Sequence, residues 1–400
     1  MKQIYPSSIT AGGFAEGGSV LEHAFGKTDQ YTLGVEEEYM LLHSETFDLV
    51  QHIDTFLAAV AGHELEAQMK AELMQSVLEI ATPVCDTAAD VDRELRKLRE
   101  YVASVAGQKS LRVGSAGTHP FSLFEAQRIT ARDRYRALVD QMQYVARREL
   151  IFGMHIHVAV DDPDKAIQVV NGLLPHIGPL LALSASSPFW RGEPTGLRSS
   201  RQMIFAAFPR SGPPPRFKSY EDYAEVVGQL EKTGCIADYT HIWWDIRLHP
   251  RLGTIEVRIC AAVSRLEHVI AIVAFCQALV KHYSERYDAG EEIPSYHRIL
   301  TTENKWLAAR YGIEAPVMDL ATGRRNRVPL AQMIRRTVKL VEPHARELGA
   351  ERELEGIEDI LRRGNGADRQ LRVFNANRDI VEVVREIAEL TEVGAEVPAA

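Results

Sequence analysis

Three consecutive glutamates, Glu36, Glu37 and Glu38, interrupt an apolar run that begins at Tyr31 and continues to Leu42. Side chains two residues apart share one face of a β-strand, so a strand here aligns Glu36 with Glu38 and turns Glu37 away. Two aligned carboxylates in an apolar strand are costly unless a cation or strong hydrogen-bond donors offset their charge. The segment therefore predicts a strand that carries a divalent-metal site.

Three further segments place chemically capable side chains inside strand-like apolar runs. Glu79 stands alone in one of them, His155 and His157 share a face of the second, and Glu256 and Arg258 share a face of the third. Each has a simpler interpretation: a strand end at the surface, satisfied core histidines, and a solvated ion pair. Because four strands show the same pattern, we expect one sheet face that is lined as a site.

The composition of this predicted face indicates which chemistry it supports. Carboxylates outnumber imidazoles, and hard oxygen ligands suit Mg²⁺ or Mn²⁺ better than Zn²⁺. Carboxylates around Mg²⁺ together with an arginine suit a polyphosphate, in which Arg258 would hold the transferred phosphoryl oxygens. The sequence has no Walker loop and no G-x-G-x-x-G fingerprint between a strand and a helix, so metals and sheet-borne side chains would hold any nucleotide.

Charge and cysteine usage exclude several classes of protein. The chain has 400 residues and a net charge of −9, which does not suggest the basic face that a nucleic acid requires. None of its four cysteines forms a C-x-x-C pair, which is typical of a reduced cytoplasmic protein. We see no signal-like segment and no apolar run of about 20 residues, so we expect no membrane partner. The basic cluster at 324–327 is either a solvated loop or a phosphate contact.

The order of predicted elements indicates an α+β fold with a large antiparallel sheet, because the strands come in hairpin-like pairs and do not alternate regularly with helices. Residues 1–29 show no clear periodicity and are predicted to be a flexible lead-in, followed by one catalytic domain over 30–395. The helices that the pattern predicts most clearly are Thr87–Ala106, 132–149, 266–287, 330–348, 354–363 and 378–392.

Several motifs, taken together and in this order, resemble the YbdK-type carboxylate–amine ligases, the type-2 glutamate–cysteine ligase family. The similarity extends from about residue 31 to 392. The segments that carry it are Gly34-Val35-Glu36-Glu37-Glu38, Leu78-Glu79-Ile80-Ala81-Thr82-Pro83, Gly153-Met154-His155-Ile156-His157-Val158, Gly196-Leu197-Arg198-Ser199, Trp244-Asp245-Ile246-Arg247-Leu248, Gly253-Thr254-Ile255-Glu256-Val257-Arg258, Glu303-Asn304-Lys305-Trp306 and Gly364-Asn365-Gly366-Ala367-Asp368-Arg369-Gln370.

The resemblance implies a glutamine-synthetase-like fold, in which an antiparallel sheet forms a funnel that holds ATP and two or three Mg²⁺ ions, with Mn²⁺ as a substitute. It implies that the γ-carboxylate of glutamate is activated as an acyl phosphate and attacked by the amine of cysteine or a related compound. It implies a protein whose partners are small molecules, and a homodimer is compatible with its size. The implied roles are metal ligands at Glu36, Glu38, Glu79, His155 and Glu256, catalytic groups at Arg258 and Glu38, and substrate-binding groups at Arg198 and Arg247.

Two other interpretations remain open at the level of sequence. One is a metal-dependent amidohydrolase that uses the His155/His157 pair, which normally lies on an early strand of a βα barrel. The other is a non-catalytic nucleotide-binding protein that kept the fold. The chain also has Ala261 where the family pattern has an aspartate, and we expect a different amine if that position shapes the amine pocket.

Overall fold

The computed structural model describes residues 21–294, 296–320 and 326–392. Most of the predicted lead-in, residues 1–20, lies outside the described residues, as does part of the basic cluster at 324–327. The division into a lead-in and one domain over 30–395 therefore stays a prediction.

Thirteen strands lie within the described ranges, and seven of them form the main sheet. The strands are β1 Leu33–His43, β2 Met69–Ala71, β3 Val77–Ala81, β4 Leu111–Gly114, β5 Met154–Ala159, β6 Phe189–Trp190, β7 Glu193–Pro194, β8 Ser211–Gly212, β9 Trp243–Trp244, β10 Ile246–His249, β11 Thr254–Val257, β12 Pro316–Met318 and β13 Arg327–Pro329. The main sheet has the order β10-β11-β5-β1-β3-β2, and β4 pairs with the second half of β1.

Helices surround this sheet. The α-helices are α1 Ile53–Val60, α2 Ala88–Gln108, α3 Asp133–Met142, α4 Tyr144–Arg147, α5 Pro163–Leu173, α6 Ile177–Ser184, α7 Ser200–Phe205, α8 Tyr220–Lys232, α9 Leu266–Asp288, α10 Arg298–Tyr311, α11 Leu330–Glu347, α12 Glu351–Leu354, α13 Gly356–Arg363, α14 Gly366–Asn377 and α15 Ile380–Thr391. Short 3₁₀ turns lie at Glu66–Gln68, Phe124–Ala126, Leu174–His176, Tyr239–His241, Pro250–Leu252 and Gly312–Glu314.

Every pairing in the main sheet is antiparallel. This confirms the predicted α+β, glutamine-synthetase-like class, with a large antiparallel sheet and flanking helices. It also removes the structural basis of the amidohydrolase interpretation, which required parallel strands in regular alternation with helices.

The central strand β1 divides its side chains between two environments. Its odd-numbered residues, from Leu33 to Leu41, face a core that α2 and α9 complete. Helix α2 begins at a capping box in which Thr87 and Asp90 satisfy each other's backbone donors. Its apolar residues at three-to-four spacing are buried. Because one face of β1 is fixed by this packing, Glu36 and Glu38 point to the other face, as predicted.

Two predicted elements differ in detail from the structure. The helix expected over 132–149 is broken at Gln143, whose φ of 50° cannot continue a right-handed helix. The strand that was expected to carry both Glu256 and Arg258 ends at Val257, because the backbone N–H groups of Arg258 and Ile259 both bond to the carbonyl of Asp245 instead of a neighbouring strand. The turn that joins β10 and β11 requires glycine at Gly253, where φ is 67° and a Cβ would lie 2.5 Å from a backbone oxygen.

One helical stretch, Pro163–Ser184, is long and apolar enough to span a membrane by length and composition. Its most apolar window is 89% buried inside the molecule, which is typical of a core helix.

Candidate active site

A cavity of about 430 Å³ lies over the main sheet, on the face that carries the even-numbered glutamates of β1. Six carboxylates line it, and two of them, Glu72 and Glu149, were not predicted as site residues. The six are Glu36, Glu38, Glu72, Glu79, Glu149 and Glu256. The predicted residues His155, Arg247 and Arg258 also line this cavity, so the four strand segments do converge.

The first cluster of ligand atoms comes from β1, β5 and β11. Glu36, His157 and Glu256 each offer one atom, and these atoms lie within 4.8 Å of one another. The sheet register produces this cluster, because Glu256 lies directly opposite His157 on the neighbouring strand. His157 Nδ1 bonds to Thr254 Oγ1 at 3.0 Å, while its Nε2 is buried without a partner among the described residues. An unpaired ring nitrogen beside two carboxylates fits a divalent cation.

The second cluster consists of carboxylates alone. Glu38, Glu72 and Glu79 offer oxygens within 4.8 Å of one another, and Glu38 lies directly opposite Glu79 in the sheet. Burial, followed by the negative charges of Glu36 and Glu72, raises the pKa of Glu79 well above its ordinary value. The Nζ of Lys70 lies 3.4 Å from Glu79 Oε1 and offsets part of this charge. Three crowded carboxylates with so little compensation also fit a hard divalent cation.

His155 lies beside the first cluster and contacts two of its carboxylates. Its Nδ1 lies 3.1 Å from Glu36 Oε2 and 4.0 Å from Glu256 Oε1. Burial and then the positive charge of Arg258 lower the pKa of His155 to about 4, so the ring is neutral near pH 7. Burial alone would raise the pKa of Glu36, but the hydrogen bond with His155 and the electrostatic effects of His157 and His155 together lower that pKa to about 2. His155 thus supports Glu36, and its role as a ligand stays a prediction.

Two arginines bracket Glu256. Arg247 Nε lies 2.6 Å from Glu256 Oε2, and Arg247 Nη1 donates to the carbonyls of Thr240 and Ile242. Arg258 Nη1 bonds to the other oxygen of Glu256, while its Nε is buried without a partner among the described residues. Although burial opposes ionisation, Arg247 and Arg258 hold the pKa of Glu256 well below its ordinary value. The guanidinium of Arg247 is therefore committed to protein groups, whereas Arg258 keeps a donor free.

Arg198 is not among the residues that line the cavity. Its Nε donates to Asp368 Oδ1 at 2.7 Å, and its backbone N–H bonds to the carbonyl of Ala309. The substrate-binding role implied for Arg198 is untested, and this location does not support it. Ala261 also lies outside the lining, with its Cβ packed near Gly117, so the missing aspartate has no direct access to the cavity.

Sequence reasoning missed Arg201, which follows the recognised Gly-x-Arg-Ser motif by two residues. Arg201 is 4% exposed on α7 and lines the cavity. A useful signal was available, because the arginine precedes the apolar run Met203-Ile204-Phe205 and a charged group within such a run is usually buried for a reason. Glu149 was missed because it lies at the end of a segment that reads as a charged surface helix.

The rim of the cavity carries two further arginines and several aromatic side chains. Arg132 and Arg134, at the start of α3, are exposed and have no ion pair within the described part of the chain. Tyr135 Oη donates to the carbonyl of Ala71 at 2.8 Å and ties α3 to β2. The opposite side is aromatic, and Phe208 meets Trp243 edge to face at a centroid distance of 5.2 Å.

Comparison with known proteins agrees with this geometry. The model of the family "Glutamate-cysteine ligase family 2 (GCS2)" matches residues 32–388. A protein of Rubrobacter xylanophilus named "Putative glutamate--cysteine ligase 2-1" is 42% identical over 361 residues, which cover 90% of this chain and 95% of that protein. A protein of Solibacter usitatus named "Putative glutamate--cysteine ligase 2" is 42% identical over 371 residues, which cover 92% of this chain and 95% of that protein.

Two solved structures share the fold at low sequence identity. A bifunctional glutathione synthetase from Pasteurella multocida superposes with a TM-score of 0.68 at 17% identity, over 92% of this chain and 53% of that one. A glutamate–cysteine ligase from Francisella tularensis, solved with AMP, superposes with a TM-score of 0.65 at 13% identity, over 92% of this chain and 91% of that one. The family match and the relatives, together with the carboxylate-lined cavity, define the class as the carboxylate–amine ligases. The chain belongs to glutamate–cysteine ligase family 2.

Proposed function

We propose that this protein is an ATP-dependent ligase that forms an amide through an acyl phosphate, with the γ-carboxylate of glutamate as the acid and cysteine or a related amine as the nucleophile. The observation that carries the proposal is the convergence of two ligand clusters, Glu36/His157/Glu256 and Glu38/Glu72/Glu79, in one cavity that also holds Arg258. The names of the relatives support the choice of acid and amine.

The clusters account for the cofactors of such a reaction. Mg²⁺ or Mn²⁺ held by these carboxylates and His157 would neutralise the charge of a triphosphate. Two clusters suit two ions, and Glu38, as a member of the second cluster, is proposed to lie next to the reacting groups. The fold shared with a ligase that was solved with AMP supports a nucleotide in this cavity.

The proposed reaction has two steps. In the first, a carboxylate oxygen of the acid attacks the γ-phosphorus of ATP, the bond to the β-γ bridging oxygen breaks, and ADP leaves. In the second, the amine nitrogen attacks the acyl carbon, the carbon–oxygen bond to phosphate breaks, and inorganic phosphate leaves while the amine loses a proton. The free Nε of Arg258 would donate to the phosphoryl oxygens during transfer, and Arg247 would keep Glu256 in place.

A turnover assay tests this proposal. The full chain is incubated with MgATP, an acid panel that includes glutamate, and an amine panel that includes cysteine, and ADP and amide are both measured. We expect ADP release that requires an acid and an amine together. ATP hydrolysis that ignores every acid and amine, or amide hydrolysis without ATP, would contradict the proposal, and nucleotide binding without any turnover would favour the non-catalytic interpretation.

A further inference from the structure

Two buried groups in the cavity remain unused by the clusters and by the arginines around Glu256. Arg201 donates weakly to the carbonyls of Ile259 at 3.3 Å and Arg258 at 3.4 Å, and its Nε is buried without a partner in the described ranges. Glu149 has a buried Oε2 that is also without a partner there. Both line the cavity. Leaving a buried polar atom without a partner is costly, so each of these two groups indicates a ligand.

The two groups are electrostatically coupled but not bonded to each other. Burial raises the pKa of Glu149 to about 8, and the charge of Arg201 is the largest influence that lowers it, so the two groups lie in one neighbourhood. Among the described residues, no ion pair within 4.0 Å joins them. An arginine and a carboxyl group that share a cavity without pairing leave room for a small molecule that carries both signs, because an ammonium group beside Glu149 would favour its ionised form.

The surroundings direct Arg201 toward the cavity without giving it a strong partner. Its Nη2 passes so close over Gly153 that a Cβ there would lie 2.6 Å away, which fixes the path of the side chain toward the cavity. Glu38, the carboxylate whose charge affects Arg201 most, already accepts from the N–H of Gly153 and belongs to the second cluster. Arg201 therefore keeps N–H groups, Nε among them, that no protein atom in the described ranges accepts, and they can bind a carboxylate from outside the protein.

We propose that Arg201 and Glu149 form a clamp for the α-carboxylate and the α-ammonium group of an amino-acid substrate. The inference rests on the proposed ligase function and assigns its acid substrate to the α-amino acids. The clamp holds the end of the substrate that does not react, so that the other carboxylate is directed toward Arg258 and the two ligand clusters. In this assignment Arg201 is the substrate-binding arginine instead of Arg198, which lies outside the cavity.

A binding cycle tests the clamp without requiring turnover. Calorimetric titration uses the full chain with Mg²⁺ and a non-hydrolysable ATP analogue, and compares L-glutamate with glutarate, which lacks the ammonium group, and 4-aminobutyrate, which lacks the α-carboxylate. We expect the wild-type protein to prefer glutamate to either analogue by about 10- to 100-fold, because a missing ligand group leaves a buried charge unpaired. Equal affinity for glutamate and glutarate would overturn the inference.

Variants assign each half of the clamp. Glu149→Gln should reduce the preference for glutamate over glutarate to about threefold and keep the preference for glutamate over 4-aminobutyrate. Arg201→Ala should reduce the preference over 4-aminobutyrate and keep the preference over glutarate. Arg201→Lys, which keeps the charge without the fork, should give an intermediate preference and remains informative if the alanine variant does not fold. The matched control is Arg335→Ala, which removes an exposed arginine of α11 that pairs with Glu358 of α13. It should change neither preference.

The remaining outcomes separate this inference from the proposed function. If Arg198→Ala abolishes the preference over 4-aminobutyrate and Arg201→Ala does not, the clamp is wrong and the ligase stands. If the enzyme makes amides only from acids without an α-amino group, the clamp is again wrong and the ligase stands. If the binding cycle behaves as expected but no acid and amine together release ADP, the ligase reaction is wrong and the clamp stands.

Discussion

Glu37 and Arg99 form a fully enclosed ion pair behind β1, with Arg99 Nη2 2.5 Å from Glu37 Oε1. Arg99 also donates to Tyr39 Oη at 3.1 Å and to the carbonyl of Ser264 at 2.6 Å. The pair thus links α2, β1 and the segment after β11. Because Glu37 lies between Glu36 and Glu38 in the chain, its fixed position determines that its two neighbours face the cavity.

Removing one member of this pair should destabilise the protein strongly. Arg99→Ala leaves a buried, uncompensated Glu37, and we expect the free energy of unfolding to fall by about 3–5 kcal/mol. Urea denaturation measures the change. Arg96→Ala removes a half-exposed arginine from the same helix, where it pairs with Asp92, and should cost less than about 1 kcal/mol. Similar losses for both variants would contradict the special role of the enclosed pair.

The shared face of Glu36 and Glu38 was predictable from sequence, because side chains two residues apart lie on one face of a strand, and Glu37 then needed a partner on the opposite face. The partner itself was not predictable, since Arg99 is 62 positions away and reads as part of a charged helix. Strand register was equally hidden, and register is what pairs Glu38 with Glu79. The motif that suggested Arg198 lies just before α7, and although the apolar run after Arg201 indicated a buried arginine, the sequence did not show that it lines this cavity.

The pH dependence of stability should contain a contribution from His119. Its Nε2 donates to the carbonyl of Phe47 at 2.9 Å and its Nδ1 accepts from the N–H of Ser122 at 2.9 Å, so the folded state holds a neutral ring. Burial lowers the pKa of His119 to about 4, against the nearby charge of Asp48, which raises it. The unfolded chain takes up this proton near pH 6.5, so acid favours unfolding.

The contribution of His119 is therefore complete above pH 6.5 and is lost as the pH falls toward 4, by up to about 3 kcal/mol. Urea denaturation of the wild-type protein and His119→Gln at pH 7.5 and 5 measures it, and the variant should show the smaller decrease between these pH values. His63→Gln changes an exposed histidine and should retain the wild-type decrease. An unchanged decrease in His119→Gln would show that the ring titrates normally in the folded state.

Divalent cations should stabilise the folded protein through the two clusters. A ligand that binds the folded state raises the melting temperature, so Mg²⁺ or Mn²⁺ should raise it and EDTA should reverse the shift. Glu36→Gln and Glu79→Gln each remove a ligand oxygen from a different cluster and should reduce the shift. Glu45→Gln, at an exposed position just after β1, is the control and should keep it. A full shift in both cluster variants would place the cations elsewhere.

Gly153→Ala should impair catalysis more than stability. The added Cβ would lie 2.6 Å from Arg201 Nη2 and 3.2 Å from His155 Nε2, so the end of the arginine must move while the backbone needs no unusual φ. We expect a fall of about 1–3 kcal/mol in the free energy of unfolding and a clear rise in KM for the acid substrate. Gly107→Ala, whose Cβ meets nothing within 4 Å, is the control and should leave KM unchanged.

Arg258 should act mainly in the transition state of phosphoryl transfer. Its side chain is 13% exposed, bonds to Glu256 through Nη1 and keeps Nε free at the cavity. Arg258→Ala should lower kcat by about 10²–10³-fold, because it removes a donor aimed at charge that develops during transfer. Affinity for MgATP, measured by equilibrium dialysis, should change by less than about threefold, since the clusters retain their ligands and Arg247 still holds Glu256.

Arg258→Lys separates charge from geometry at the same position. Lysine supplies one compact charge instead of a planar fork, so we expect kcat to lie between those of the wild-type protein and the alanine variant. If Arg258→Ala instead weakens MgATP binding and leaves kcat intact at saturation, Arg258 is a ground-state anchor for the nucleotide. The transition-state donor would then have to come from another cation of the cavity, and Arg201, Arg132 and Arg134 are the arginines there without an ion pair in the described structure.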